Sequence, residues 1–408
     1  MTFSTGTDFI LDISRLLARS GQNVPTGIDR VELAYAHHLL TYPSSRVFFV
    51  AISLTGRMGK LPYEQAKALI ENLVMGWNLG EQSSLVRAKK IACFLKAYLL
   101  LGKRLSPLTE RPVYLLVSHH HLMRTDTIRK FLRQTKALFV PMIHDLIPVE
   151  YPEYARPREP ARHKARLHTV TMLADAVIVP TKAVHDALRP YFIKAGRPEV
   201  PIWTVPHGVH EQVVKGFSES TLSRQEVKPF FVYLSTIEPR KNHLLLLHLW
   251  RRMVEQRGKE ATPQLILVGK RGWENENILD LLERCPALQG VVIEESYLSD
   301  EAVADLLQNS NGLLFPSFVE GYGLPVAEAM SLGVPSICSD IPALREVGKD
   351  KVIYIDPLDA IEWQKVIDDF AQRGHLWETQ KRGLENWKAV TWGQRVSETI
   401  VSCESLKN

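Results

Sequence analysis

The chain lacks any apolar run approaching the roughly 18 residues that a membrane-spanning helix requires. The stretch Leu244–Leu247 is far too short and reads as part of a buried helix. Met1–Gly6 shows no charged region leading into an apolar core, so no secretory signal is expected. Cysteine is scarce. Cys93, Cys285, Cys338 and Cys403 are scattered without metal-ligand spacing, a pattern that suits a reducing cytoplasm. Acidic and basic residues nearly balance, 45 against 50. The resulting net charge of +5 is too small and too dispersed to argue for nucleic acid as a partner. Three chemical signatures are also missing. There is no Asp-x-Asp, a motif that holds a metal on a diphosphate. Without a Gly-x-x-x-x-Gly-Lys-Ser/Thr loop, kinase or ATPase chemistry is not expected, and without Gly-x-Ser-x-Gly nor is serine-hydrolase chemistry. No internal repeat or low-complexity tract interrupts the chain.

What is present describes an ordinary globular protein, 45% hydrophobic and 23% charged. A length of 408 residues predicts two domains. The second half alternates apolar strands with helical patterns. Strands are expected over 230–234, 265–268, 291–294, 312–315, 336–339 and 352–355. Helices are expected over 244–255, 278–283, 302–308, 327–332 and 361–372. The first half repeats the scheme less regularly, with strands over 9–11, 47–52, 113–117, 138–143, 176–179 and 202–205. Its helices are expected over 30–40, 63–75, 125–134 and 163–173. Strand–helix alternation of this kind predicts parallel sheets covered on both faces. The expected fold class is therefore α/β, two doubly wound Rossmann-like domains with a central cleft at the carboxyl ends of their strands. The boundary falls near 206–227, where the polar run Glu219–Gln225 breaks the pattern. The expected division is 1–210, 211–388 and a last helix over 389–408.

The most informative stretch is Ser317-Phe-Val-Glu320-Gly-Tyr-Gly-Leu-Pro-Val-Ala-Glu328-Ala-Met. Glu328 follows Glu320 by eight positions, with Gly321 and Gly323 between. A short buried strand leads into the loop, and Pro325 suits the first position of a helix. Glu328 is then expected in the first turn. Free backbone N–H groups at such a helix start make a natural anion site. One carboxylate would meet a sugar and the other a ribose, with phosphate between. This stretch resembles the Glu-x7-Glu motif of retaining GT-B glycosyltransferases, in particular glycosyltransferase family 4. The segment Tyr233-Leu-Ser-Thr-Ile-Glu-Pro-Arg240-Lys241-Asn-His243 resembles the Glu-Pro-Arg-Lys-Asn variant of that family's mannosyltransferases. Most members place an arginine five residues before the lysine; here Thr236 stands there, and Arg240 is the candidate replacement.

The resemblance implies a retaining, metal-independent transferase that takes a hexose from a nucleotide-sugar, with GDP-mannose the first expectation. No metal or other cofactor is expected. Catalytic roles fall to Glu320, His144 and Lys241. Lys241 and Arg240 would stabilise the departing diphosphate, and the backbone of Gly321, Tyr322, Gly323 and Leu324 would hold the distal phosphate and sugar. Glu320 would grip sugar hydroxyls, Glu328 the ribose, and the loop with Tyr297 and Leu298 would lie beside the base. His144, in Val140-Pro-Met-Ile-His144-Asp145-Leu-Ile-Pro148, matches an acceptor-side motif. Gly27 occupies the place of the family's N-terminal glycine loop, although the usual paired glycines are absent; Asp29 and Arg30 have an alternative reading as a local helix cap. His119-His120-His121 makes a poor chelate, because adjacent residues on a strand point to opposite faces. Val205-Pro-His-Gly208-Val209 resembles the family's turn at the domain junction. The expected acceptor is a glycan or a lipid-linked glycan.

The segment from Leu85 to Arg104 has two readings. Basic Arg87, Lys89, Lys90, Lys96, Lys103 and Arg104 interleave with apolar residues, as in a helix lying on the anionic inner membrane surface. The alternative is a domain helix whose apolar stripe packs inward. The expected location is accordingly the cytoplasm, with or without peripheral attachment to the membrane. Two rival functions share the architecture, a nucleotide-sugar 2-epimerase and a non-catalytic scaffold subunit. The intact Glu320, Glu328 and Lys241 argue against the second.

Overall fold

Short runs of β-branched, aromatic and leucine residues, such as Phe230-Phe-Val-Tyr-Leu234, cannot leave either face in water, and they fold as strands buried on both sides. The computed structural model describes residues 7–100, 111–209 and 228–406. The chain divides into two compact units, one comprising Met1–Gly208 with Trp392–Asn408, the other Val209–Thr391.

In the first unit, strands β1 (Phe9–Asp12), β2 (Val47–Ile52), β3 (Met58–Lys60), β4 (Val113–Leu116) and β5 (Leu138–Pro141) form a sheet in the order β3-β2-β1-β4-β5. All pairs are parallel except β2–β3. Strands β6 (Val177–Val179) and β7 (Ile202–Thr204) pair in parallel beside it, and a bridge from Met142 to Ile178 joins them to the β5 side. Every residue of β1, β4 and β5 is buried, as expected for a doubly covered parallel sheet. The last helix, Trp392–Ser405, packs on the helix Gly27–Leu39. The hydroxyls of Tyr35 and Thr399 lie 2.8 Å apart in the buried contact.

The second unit holds β8 (Phe230–Leu234), β9 (Gln264–Val268), β10 (Val292–Glu295), β11 (Gly312–Phe315), β12 (Ser336–Ser339) and β13 (Ile353–Ile355). They form one parallel sheet in the order β10-β9-β8-β11-β12-β13. The chain starts at the centre with β8, runs outward through β9 and β10, then returns to β11 on the other side. The order therefore reverses between β8 and β11, and such a reversal leaves a crevice at the strands' carboxyl ends. Trp250, Trp363, Tyr233, Phe231 and Phe315 fill the core.

Several elements depart from the sequence reading. Strand β3 was not expected, since Met58-Gly-Lys60 has no apolar run; it is an antiparallel edge strand fixed by pairing with β2. The helices Pro342–Gly348 and His375–Leu384 were likewise not expected. The helix over Glu320's loop begins at Leu324 and ends at Ser331. Pro325 is thus its second residue rather than its first, and Glu328 its fifth, at the start of the second turn.

The helix Gln82–Leu100 carries both features offered for it. Leu85, Ala88, Ala92, Leu95 and Leu99 are buried. Val86, Phe94 and Leu100 are exposed on the opposite face, among exposed Arg87, Lys89, Lys90 and Lys96. Leu101, Lys103 and Arg104 lie outside the described residues, as does the run Glu219–Gln225. Among the described residues no helix is long and apolar enough to cross a membrane.

Candidate functional site

Two loops leave the sheet of the second unit at its reversal point. The first follows β8 and makes a short 3-10 turn, Pro239–Lys241, before the helix His243–Arg257. Asn242 closes that turn in the left-handed region, with φ of 55°, and its side chain donates to the Pro357 carbonyl at 2.9 Å. The second loop follows β11 and ends at Gly323, whose φ of +108° favours glycine. The backbones are tied together, Phe318 N–H donating to the Arg240 carbonyl at 2.9 Å. Tyr233, at the heart of the core, donates its hydroxyl to the Lys241 carbonyl.

These constraints bring Arg240, Lys241 and Glu320 together, although they lie about 80 residues apart in sequence. Arg240 Nη1 donates to Glu320 Oε2 at 2.9 Å and to the Val319 carbonyl at 3.1 Å. Lys241 Nζ donates to the other carboxylate oxygen, Oε1, and sits 5.1 Å from the centre of the Phe315 ring. A second carboxylate, Glu238, contacts Arg240 Nε at 2.6 Å. The side chains of Glu320, Lys241 and Glu238 are only 8%, 10% and 4% exposed. Burial pushes the Glu320 carboxyl upward, but the Arg240 and Lys241 charges outweigh it and hold the group at about 2. Burial, joined by Arg240, lowers the Lys241 ammonium, with Glu320 opposing. Glu238 moves the other way, raised by burial against the pull of both cations. His243 is pushed down to about 3 by burial and the Lys241 charge, so it is neutral and adds no cation.

The loop of Arg240 rests on the next βα loop. Gly269 has φ of +155°, and a Cβ built there would lie 1.9 Å from the Ser235 carbonyl oxygen. The Ile237 N–H donates to the Lys270 carbonyl, and the Ile237 carbonyl accepts from Gly272 N–H and the Asn275 side chain. Thr236, in the position of the resembled family's arginine, is exposed.

The remaining sequence candidates are placed as follows. Gly321, Tyr322 and Gly323 form the loop after Glu320, and Leu324 opens its helix. Glu328 is half-buried on that helix. Tyr297 and Leu298 follow β10; Tyr297 is exposed, with φ of 68° and the Lys270 ammonium 5.0 Å from its ring centre. Ser299 caps the helix Asp300–Asn309 by accepting from Ala302 N–H. Gly27 and His144 belong to the first unit. Gly27 is the exposed first residue of its helix, where Thr26 and Asp29 form a capping box. Asp29 also pairs with Arg15 and Arg19, which fits the local-cap reading.

His144 follows β5, and its Nε2–H donates to the Val117 carbonyl at 2.9 Å. Burial pushes it down to about 4, which keeps the ring neutral at neutral pH. Its ring centre lies 5.0 Å from that of His119 and 5.7 Å from that of His207. His121 turns toward Asp12, its Nε2 3.4 Å from the carboxylate; His119, His120 and His121 lie beyond β4 in a loop and turn rather than on a strand, so strand alternation does not set their directions. Among the described residues no group of three or more His, Cys, Asp or Glu side chains is arranged to hold a metal ion.

Sequence reasoning missed the Glu238–Arg240–Glu320–Lys241 cluster. Glu238 stands in the segment Tyr233–His243 without a role in the sequence reading. A carboxylate two positions before an arginine across a proline was the available signal.

Residues 217–387 match the family described as Glycosyl transferases group 1. This part of the chain is similar to group 1 glycosyltransferases. The O-antigen chain mannosyltransferase B of Escherichia coli is 35% identical over 178 residues, 42% of this chain and 44% of that protein. The serotype-specific mannosyltransferase WbdA of Escherichia coli is 26% identical over 276 residues, 62% of this chain and 32% of that protein. The chain thus spans less than half the length of either curated relative. A sucrose-phosphate synthase structure from Thermosynechococcus elongatus superposes with a TM-score of 0.65 at 16% identity, covering 98% of this chain and 99% of that one. That likeness shows the fold, which is of the GT-B class.

Proposed function

We propose that this chain is a glycosyltransferase that moves a hexose from a nucleotide-sugar to a glycan or lipid-linked glycan acceptor. The observation that carries the reading is the buried Arg240–Lys241–Glu320 cluster at the reversal point of the second unit's sheet, in the part similar to group 1 glycosyltransferases. Two cations fixed there suit a leaving diphosphate, where negative charge grows as the glycosidic bond breaks. Fixed cations do the work a divalent ion does elsewhere, so the reaction is proposed to need no metal. Both curated relatives named above are mannosyltransferases rather than epimerases, and that favours transfer, mannose as the sugar and GDP-mannose as the donor. Glu320 is assigned the sugar hydroxyls, Glu328 the ribose, the Gly321–Leu324 backbone the distal phosphate, and Tyr297 and Leu298 the base. His144 is assigned the sugar near the acceptor, through its neutral ring. Retention of anomeric configuration is the proposed stereochemistry.

The exposed face of the helix Gln82–Leu100 is proposed to rest on an anionic cytoplasmic membrane surface, close to a lipid-linked acceptor. The test of the whole reading is a set of nucleotide-sugars offered with mannosylated acceptors in EDTA. NMR of the product then gives linkage and anomeric configuration. GDP-mannose should give a mannosylated product of retained configuration; an isomerised nucleotide-sugar formed without acceptor would contradict the reading.

A further inference from the structure

The site is charge-matched by its own side chains. Arg240 and Lys241 face Glu320 and Glu238, two cations against two carboxylates. If the proposed function is right, Glu320 must exchange these cations for sugar hydroxyls when the donor enters, and the diphosphate must take its place. Lys241 has little freedom, because Tyr233 holds its backbone carbonyl and its ammonium lies beside Phe315. Arg240 is different. Once Glu320 turns away, its guanidinium keeps the Val319 carbonyl on one edge and Glu238 on the other.

We infer that Glu238 is a positioning residue: it grips Arg240 at Nε so that the guanidinium stays directed at the diphosphate after Glu320 has left. The geometry is suited to this. Nε lies on the edge of the fork farthest from Nη1, so Glu238 takes a donor that Glu320 does not use. The backbone carbonyl of Glu238 also accepts from Lys241 N–H at 3.1 Å, which links one residue to both cations. Its own backbone is anchored through neighbouring Ile237, which is bonded to Lys270, Gly272 and Asn275. Burying a carboxylate this deeply is costly without a function for it, and burial indeed raises its pKa. An ordered guanidinium spares the donor the entropy of fixing a long side chain on binding.

The inference rests on the proposed transferase reading, and calorimetry with GDP and UDP in EDTA separates the two. Glu238→Ala should weaken nucleoside diphosphate binding about tenfold, while Glu238→Gln, which can still accept from Nε, should stay within about threefold of the unmodified protein. Adding Glu238→Ala to Arg240→Ala should cost nothing further, since the residue acts only through Arg240. A purely structural role would lower affinity in both backgrounds alike. Thermal melts establish that each variant folds; if Glu238→Ala does not, Glu238→Asp replaces it, because the shorter side chain cannot reach Nε and the same loss is expected. Full affinity in Glu238→Ala or Glu238→Asp, or multiplying losses in the double variant, would overturn the positioning role alone. Failure of the unmodified protein to bind either diphosphate would overturn both the role and the reading beneath it.

Discussion

Glu320 pairs with both Arg240 and Lys241, and this reverses a simple expectation about its removal. Deleting it should not weaken binding of a free nucleoside diphosphate, because it releases Arg240 and Lys241 for the phosphates. Glu320→Ala should bind the diphosphate as well as or better than the unmodified protein, yet lose most transfer. Glu328→Ala should lose affinity first, if the carboxylate holds the ribose. Lys241→Ala removes a charged hydrogen bond worth roughly 1.5–3 kcal/mol, about ten- to a hundredfold in diphosphate affinity. Calorimetry beside turnover distinguishes the three. Equal losses of affinity in Glu320→Ala and Glu328→Ala would contradict the assignment.

The same carboxylate predicts a pH dependence of stability. Its folded value of about 2 lies below the ordinary 4.5, so its contribution is present above about 4.5 and is lost as pH falls toward 2. The difference corresponds to about 3 kcal/mol at neutral pH, as an order of magnitude. Urea unfolding of the unmodified protein and Glu320→Gln should therefore differ most at pH 7 and progressively less below pH 4.5. A gap that stays constant down to pH 2.5 would show that the pairing does not stabilise the fold.

At the scale of elements, the β8 loop depends on the β9 loop beneath it. Gly269→Ala would drive a methyl group into the Ser235 carbonyl, a backbone atom that cannot rotate away. The loop must then shift, at a cost of roughly 1–3 kcal/mol. A lower melting temperature together with weaker diphosphate binding is expected; unchanged affinity would show that the support does not reach Arg240. The helix Gln82–Leu100 offers a separate test. Basic residues near an anionic bilayer contribute about 1 kcal/mol each. Reversing Lys89 and Lys90 to glutamate should abolish flotation with anionic liposomes, and salt should release the unmodified protein. Equal recovery in the soluble fraction with neutral and anionic vesicles would leave only the inward-packing role.

Across the whole molecule, the central strands of the two larger sheets were legible because parallel strands buried on two faces read as unbroken apolar runs. Residues 230–234, 312–315 and 336–339 are strands over the ranges expected. The edge strand Met58–Lys60 carries no such run, and its pairing alone defines it. The loops bearing Arg240, Lys241 and Glu320 were legible one at a time. Their ion pairs were not, since contact between residues 240 and 320 follows from β8 lying beside β11, and no strand's sequence declares its neighbour. Glu238 escaped for the same reason, its role being set by where Arg240 points. The first turn assigned to Glu328 failed on a smaller matter: Gly323 caps the helix, so counting begins at Leu324.

The proposed transfer is metal-independent and uses Lys241 and Arg240 in place of a divalent metal ion. Its most direct measurement is acceptor-dependent release of GDP from GDP-mannose in EDTA, by the unmodified protein and by a folded Lys241→Ala variant. The account predicts release that EDTA leaves unchanged and that Lys241→Ala all but removes. Release that stops in EDTA and returns with magnesium or manganese, or that proceeds at the full rate in Lys241→Ala, would contradict it.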